Sequence, residues 1–404
     1  MKSIWGLLIT AVLLTSCQPE LVFVDVTRLV EVTPESTSSA SDVEASDGQA
    51  SEVTRMVTQE VTRVVTRTVV EELIVEVTKT PVGSSQRPIQ LLFSPSVGTD
   101  VISRRGQFLA EALSESTGLA FQVGILDDEE TVIQLMCAAP EESMGFLSAA
   151  GFVMAESACG AQSGNVALQT EGLAWQAGMI VARRDSGIVS LADLAGRRLA
   201  IPEAKNASHF DYFLAQLKDA GIEPAEIISL PGDSSAMLAV YNGEVDAAVA
   251  GYVPPVLPYN ERLWTYGEDS PEIWRRVGIS PSRSPIGYVL VNGEPEFGGY
   301  RLRDARSRVF DVLPEIYDET LIVALSAPIP NDTIAFGARF PLQMARQIVP
   351  ALTEFAASDG CISSLCSADF FGWTGLVPAD AAAYEPVRFI LNTLTGEGDG
   401  AESP

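Results

Sequence analysis

From about residue 87 to residue 393 the chain switches repeatedly between two hydrophobic periods. Short apolar runs read as buried strands: "PIQLLFS" at 88–94, "MIVARR" at 179–184 and "RRLAIP" at 197–202. Between them the apolar positions fall at helical spacing. In "DVISRRGQFLAEALSESTG" (100–118), Phe108, Leu109, Ala112 and Leu113 share a face and Gly118 is the stop. In "DEETVIQLMCAA" (128–139) the face is Val132, Leu135, Met136 and Ala139. A third helix carries Phe210, Phe213, Leu214 and Leu217, opens on a capping-box-like Ser208-x-x-Asp211 and stops at Gly221. Strands alternating with helices predict an α/β fold. Roughly 300 residues of this kind suffice for two lobes with proper cores.

Upstream the pattern dissolves. The run "TPESTSSASDVEASDGQASE" (33–52) has almost no large apolar groups and cannot offset chain entropy by burial. It is followed by a four-residue cadence: Val53-Thr54-Arg55, Val57-Thr58-Gln59, Val61-Thr62-Arg63, Val65-Thr66-Arg67. Period four suits a drifting helix stripe and also one strand face; the β-branched content leans extended. Residues 17–86 are therefore expected to form a stalk, reaching on the order of 200 Å at about 3.3 Å per residue if extended. Residues 394–404 are expected to be a disordered tail.

The first residues change the picture. Met1-Lys2 is a short basic start, and Ile4 to Leu14 is apolar but too short to span a bilayer. Residues 1–16 read as a lipoprotein signal peptide. Leu14-Thr15-Ser16-Cys17 looks like a bacterial lipobox, which would make Cys17 the lipidated residue; the alternative is an ordinary signal peptide with a chance cysteine. The expected location is outside the cell membrane, tethered to its outer face by acyl chains. Four cysteines then remain. Cys361 and Cys366 lie close together in a Gly/Ser-rich loop and are paired here, which leaves Cys137 with Cys159. Four free thiols are the alternative. No Cys-x-x-Cys is present.

Charge excludes some partners. The 26 basic and 53 acidic residues give −27, so long-range repulsion opposes nucleic acid and anionic lipid. Enzyme chemistry has little to stand on. The single histidine, His209, is the only candidate base for a Ser-His-Asp site, and no Gly-x-Ser-x-Gly turn accompanies it. There is no two-histidine metal site and no Walker-type phosphate loop. The run Asp127-Asp128-Glu129-Glu130 reads as a solvated helix start. No cofactor is expected.

Residues 200–213, "AIPEAKNASHFDYF", pass from a strand into a helix. Lys205, Asn206, Ser208 and His209 thus surround a helix N-terminus, where free N–H groups and the dipole favour anions. A plain capped helix would look the same.

Longer stretches resemble a known family. "RRDSGIVSLADLAGRRLAIPEAKNASHFDYFLAQLKDAGIEP", "LAVYNGEVDAAVAGY" (238–252), "APIPNDTIAFG" (327–337) and "GLVPADAAAYEPVR" (375–388) resemble, in order, the phosphate/phosphite/phosphonate substrate-binding proteins of ABC transporters. The resemblance implies a type II periplasmic binding protein fold: two α/β lobes with a ligand cleft between them. Lobe one is placed at 87–186 and 327–393, lobe two at 187–326. It further implies a non-enzymatic, monomeric binder of a small-molecule solute that serves an ABC permease and its ATPase. By position, the pocket would be built from Ser94 and Ser96, from Phe146, Leu147 and Ser148, from Trp175, from Lys205, Asn206, Ser208 and His209, from Asp233 in the turn at 232–235, and from Tyr252.

Departures from the family pattern bear on the ligand. Lys205-Asn206-Ala207-Ser208 stands where a Ser-Thr-Ser-Gly-like run is usual; Asp233 matches a histidine and Glu129 a tyrosine. Two orientations stay open for these acids. If they face the cleft, they oppose a simple phosphonate and suit a zwitterion, with Lys205 on its anionic end and Trp175 against its cation. If they point into solvent, the usual phosphonate chemistry stands. A ligand-sensing receptor of the same fold and a scaffold lipoprotein with a degraded pocket are the alternatives to transport.

Overall fold

The computed structural model describes residues 80–395 apart from 170–171, 204–207, 261 and 293–297, together with residues 22–23 and 74–75; for Ser208, His209 and Asn260 it describes the backbone alone. The chain divides into two compact units, Met1–Thr80 and Pro81–Pro404. In the first, β1 (Val22–Phe23) pairs antiparallel with β2 (Ile74–Val75). The signal peptide, Cys17, the Val-Thr-Arg cadence and residues 396–404 lie outside the described residues. Residues 81–86 were expected in the stalk but belong to the globular unit. Val82 is buried in its core, and the Gly83 carbonyl accepts from Ala120 N–H at 2.7 Å. At the other end the last helix runs to Thr395, two residues into the expected tail.

The globular unit opens with β3 (Ile89–Phe93), α1 (Thr99–Thr117), β4 (Phe121–Ile125), α2 (Glu129–Ala138), β5 (Ser143–Leu147), α3 (Ala149–Cys159) and β6 (Gln162–Leu168). It continues with β7 (Trp175–Arg183), β8 (Arg198–Pro202), α4 (Ser208–Asp219), β9 (Glu226–Leu230), α5 (Gly232–Tyr241) and β10 (Ala247–Tyr252). A small sheet follows: β11 (Ser282–Arg283), β12 (Val289–Asn292) and β13 (Gly299–Leu302). The chain returns through α6 (Ile316–Glu319), β14 (Thr320–Leu325), β15 (Ile329–Pro330), β16 (Thr333–Phe336), α7 (Leu342–Ala356), β17 (Gly375–Pro378) and α8 (Glu385–Thr395).

Two sheets organise these elements. The first has the order β17-β6-β16-β5-β3-β4, the second β14-β7-β10-β8-β9 with β15 attached to β7. In each, two parallel neighbours of βαβ type meet antiparallel strands. This is the two-lobed α/β architecture expected. Strand alternation explains why both faces of each sheet are covered. Leu91 and Phe93 join α1 and α7 residues in one core, while Leu92 joins α2, α3 and α8 residues in another. In the second sheet Met179 and Val181 pack with α5, and Ile180 and Ala182 with α4.

The lobe boundary differs from the sequence reading. Trp175–Arg183 was placed in lobe one, yet β7 sits in the middle of the second sheet, paired with β10 and β14. A continuous apolar run such as "MIVA" specifies a doubly covered strand but not which sheet it joins. The crossovers therefore run through 169–174 and 326–332. Asn331 ties them together: its N–H donates to Ala174 O (3.1 Å), and its Nδ2 donates to Ala167 O (2.9 Å) and Leu173 O (2.8 Å). Two disulfides are present, Cys137–Cys159 joining α2 to α3 and Cys361–Cys366, as paired from the sequence.

Candidate functional site

Strand register places the expected residues. Phe93 pairs with Ile125 and Leu92 with Gly145, so the loops after β3, β4 and β5 leave the same edge of the first sheet. That edge carries Ser94, Glu129 and Ser148. Thr333 pairs with Leu147, which brings Asp332 to the same edge. In the second sheet Tyr252 pairs with Ala177, so Trp175, Tyr252, the end of β8 and Asp233 share an edge. Both crossovers start and finish at these two edges, so the edges face each other across the hinge. Contacts also cross between the lobes. The Tyr212 and Phe389 rings lie 5.8 Å apart, and Lys218 Nζ donates to Thr393 O at 2.6 Å.

Not every expected residue reaches the cleft. Phe146 and Leu147 are buried within β5, because every residue of that strand lies between two helix layers. Phe146 stacks on Phe93 with ring centroids 4.2 Å apart and belongs to the core. Tyr252 is buried too; its hydroxyl donates to Pro271 O at 3.3 Å, and burial pushes its pKa up. Ser94 is half-buried and Ser96 exposed, in a turn where Ser96 N–H donates to Ser94 O at 2.9 Å. Trp175 is half-buried and packs on Trp264 at 6.3 Å. It also lines a cavity of about 410 Å³ at the hinge, with Val166, Pro328, Pro330, Val377 and Pro386 among the other walls. Lys205 and Asn206, and the side chains of Ser208 and His209, lie outside the described residues; the backbone of α4 does begin at Ser208.

The two substituted acids do not point into bulk solvent. Asp233, in the first turn of α5, forms an ion pair with Arg308 at 3.5 Å. Glu129, in the first turn of α2, reaches the start of α3. It accepts from Ser148 N–H at 2.5 Å and from Ser148 Oγ at 3.0 Å, while Ser148 Oγ accepts from Gly151 N–H. Gly151 makes this approach possible, since a Cβ there would stand 2.5 Å from the Glu129 carboxyl carbon.

Sequence reasoning missed Asp332. Burial raises its carboxyl pKa, the Glu129 charge raises it further, and one hydrogen bond from Trp373 Nε1 at 3.3 Å opposes this. Trp373 continues an aromatic stack with Phe371 and Phe146, at 4.4 and 6.3 Å. The Pro-Asn-Asp stretch in "APIPNDTIAFG" marked the segment but not the carboxylate. On the opposite lobe, burial alone raises Asp211 of α4. Among the described residues no group of three or more His, Cys, Asp or Glu side chains is placed to hold a metal ion, and no helix is long and apolar enough to cross a membrane.

A model of the ABC transporter phosphonate periplasmic substrate-binding protein family matches residues 91–384. The chain belongs to that family. Members of this phosphonate-binding family are substrate-binding components, not enzymes, and they work outside the cytoplasm with an ABC permease and its ATPase. No curated protein matches the chain. Among solved structures, XAC2383 from Xanthomonas citri bound to ATP is 14% identical, covers 78% of this chain and 99% of its own, and gives a TM-score of 0.46. PhnD1 from Prochlorococcus marinus in complex with methylphosphonate is 11% identical, with 76% and 98% covered and a TM-score of 0.38. The aliphatic sulphonate binding protein SsuA from Escherichia coli is 13% identical, with 76% and 79% covered and a TM-score of 0.31. At such distances what those proteins bind does not carry over.

Proposed function

We propose that this phosphonate-binding family member is a lipoprotein of an ABC importer. Lipidated at Cys17 and held at the outer face of the membrane by a stalk, it captures a phosphonate-like solute, zwitterionic in character, in the interlobe cleft and delivers it to the permease. It acts as a monomer. Lobe one spans 81–168 and 333–395, and lobe two 175–325. The observation that carries the zwitterionic reading is Asp332, a half-buried, desolvated carboxylate at the cleft edge beside an aromatic stack, with no ion pair among the described residues. Such a group is stabilised by a ligand ammonium. Lys205 and the start of α4 would take the anionic end.

Calorimetric titration of the full chain tests this. An aminoalkylphosphonate with a free ammonium should bind at least about tenfold tighter than methylphosphonate, the equivalent of one charge-assisted hydrogen bond. Equal or weaker binding of the ammonium compound refutes the zwitterionic reading. Absence of binding by any small solute refutes capture itself and leaves a scaffold lipoprotein.

A further inference from the structure

Ser148 follows β5 at the cleft edge of the first sheet and opens α3, and its donors are already engaged. Ser148 N–H and Ser148 Oγ both point at the Glu129 carboxylate, at 2.5 and 3.0 Å, and the Ser148 oxygen is in turn held by Gly151 N–H. Glu129 is 19 residues away in sequence, so this is not a local cap that every helix start would show. It requires α2 and α3 to lie side by side, which the Cys137–Cys159 bond secures at their far ends. It also requires a glycine at position 151. The α2 helix has its own cap, with Asp128 accepting from Thr131 N–H at 2.7 Å, so Glu129 is not needed there.

We infer that Glu129 is a built-in anion that closes the start of α3 to the ligand, making it the residue that selects against simple phosphonates and phosphate. A phosphonate oxygen entering this corner would have to displace a covalently tethered carboxylate or sit against its charge. The ligand group that reaches lobe one is then a cation or a neutral donor, and the ligand's anionic group is confined to the opposite lobe. This deepens the solute-binding reading above and rests on it.

The test compares the full-length wild type with Glu129→Ala and Glu129→Gln, titrated with methylphosphonate and with inorganic phosphate. Removing the carboxylate frees two donors at a helix N-terminus. Glu129→Ala should therefore bind methylphosphonate at least about tenfold tighter than wild type, one charge-assisted hydrogen bond's worth. Glu129→Gln keeps the size and an acceptor for Ser148 N–H but loses the charge, and should show a smaller gain. It carries the test if the alanine variant does not unfold cooperatively. No gain in either variant overturns the inference, as does a wild type that already binds methylphosphonate as tightly as the variants. The second result leaves solute capture standing. Capture itself fails only if the wild type also binds no ammonium-bearing solute.

Discussion

Asn331 offers the sharpest test of how the two lobes are joined. Its amide nitrogen donates to Ala167 O and Leu173 O at 2.9 and 2.8 Å, one partner at the end of the β6 ladder and one in the first crossover, while Asn331 itself lies in the second. Asn331→Ala removes both donors in a site where Asn331 is 4% exposed; Leu173 O keeps its bond from Gln169 N–H at 2.9 Å, so the main loss is at Ala167 O. Removing the donor of one buried acceptor costs about 1–3 kcal/mol. For a domain of this size that is roughly 2–5 °C in Tm. Differential scanning calorimetry at neutral pH measures it directly. The loss should be accompanied by faster amide exchange at Leu173 and Ala174, because the crossovers lose their mutual tie. A shift under about 1 °C would mean that backbone pairing alone holds the crossovers, and the assignment of Asn331 as the hinge tie would be wrong.

Other outcomes follow from charge and covalent constraint. Burial raises the Asp332 pKa, so its favourable contribution is complete below about pH 3.9 and is lost as pH rises through the folded value. Asp332→Asn should therefore melt higher than wild type at pH 7 and equally near pH 3.5; an equal Tm at both would refute the burial argument. Arg306 is fully buried between Asp304 Oδ2 at 2.9 Å and Glu272 Oε1 at 2.7 Å. Glu272→Gln leaves that guanidinium half-compensated and should cost about 3–5 kcal/mol in chemical denaturation. Burial would raise Glu272, but Arg306 and Arg275 hold it below the usual carboxylate range. Its contribution is therefore present above about pH 4.3 and fades as pH falls further. Replacing Cys137 and Cys159, 22 residues apart, with serine should cost about 3 kcal/mol, and replacing Cys361 and Cys366, 5 apart, about 2 kcal/mol, on the chain-entropy relation.

Much of the architecture was legible in the chain. The apolar run at 88–94 became β3, and the helix ending at Gly118 stopped there because that glycine takes φ 72°. Helix faces were read less finely. Phe108 and Leu135 fall at helical spacing with buried neighbours yet are exposed, since a 3.6-residue period leaves the stripe's edge undecided. Phe146 and Leu147 were drawn into the pocket by alignment to a turn, but they complete a strand covered on both faces.

Local sequence determined most of the elements, their order and the family, because spacing, stop residues and short motifs act over a few positions. It did not determine that β7 enters the second sheet, that Glu129 crosses to Ser148, that Arg308 pairs with Asp233, or that Asp332 meets Trp373. Those outcomes depend on which side chains the packed sheets bring within a few ångströms across separations of 19 to 75 residues. A carboxylate's role is set by that neighbourhood, since the same group is a helix cap, an ion-pair partner or a buried charge according to the donors and cations it meets.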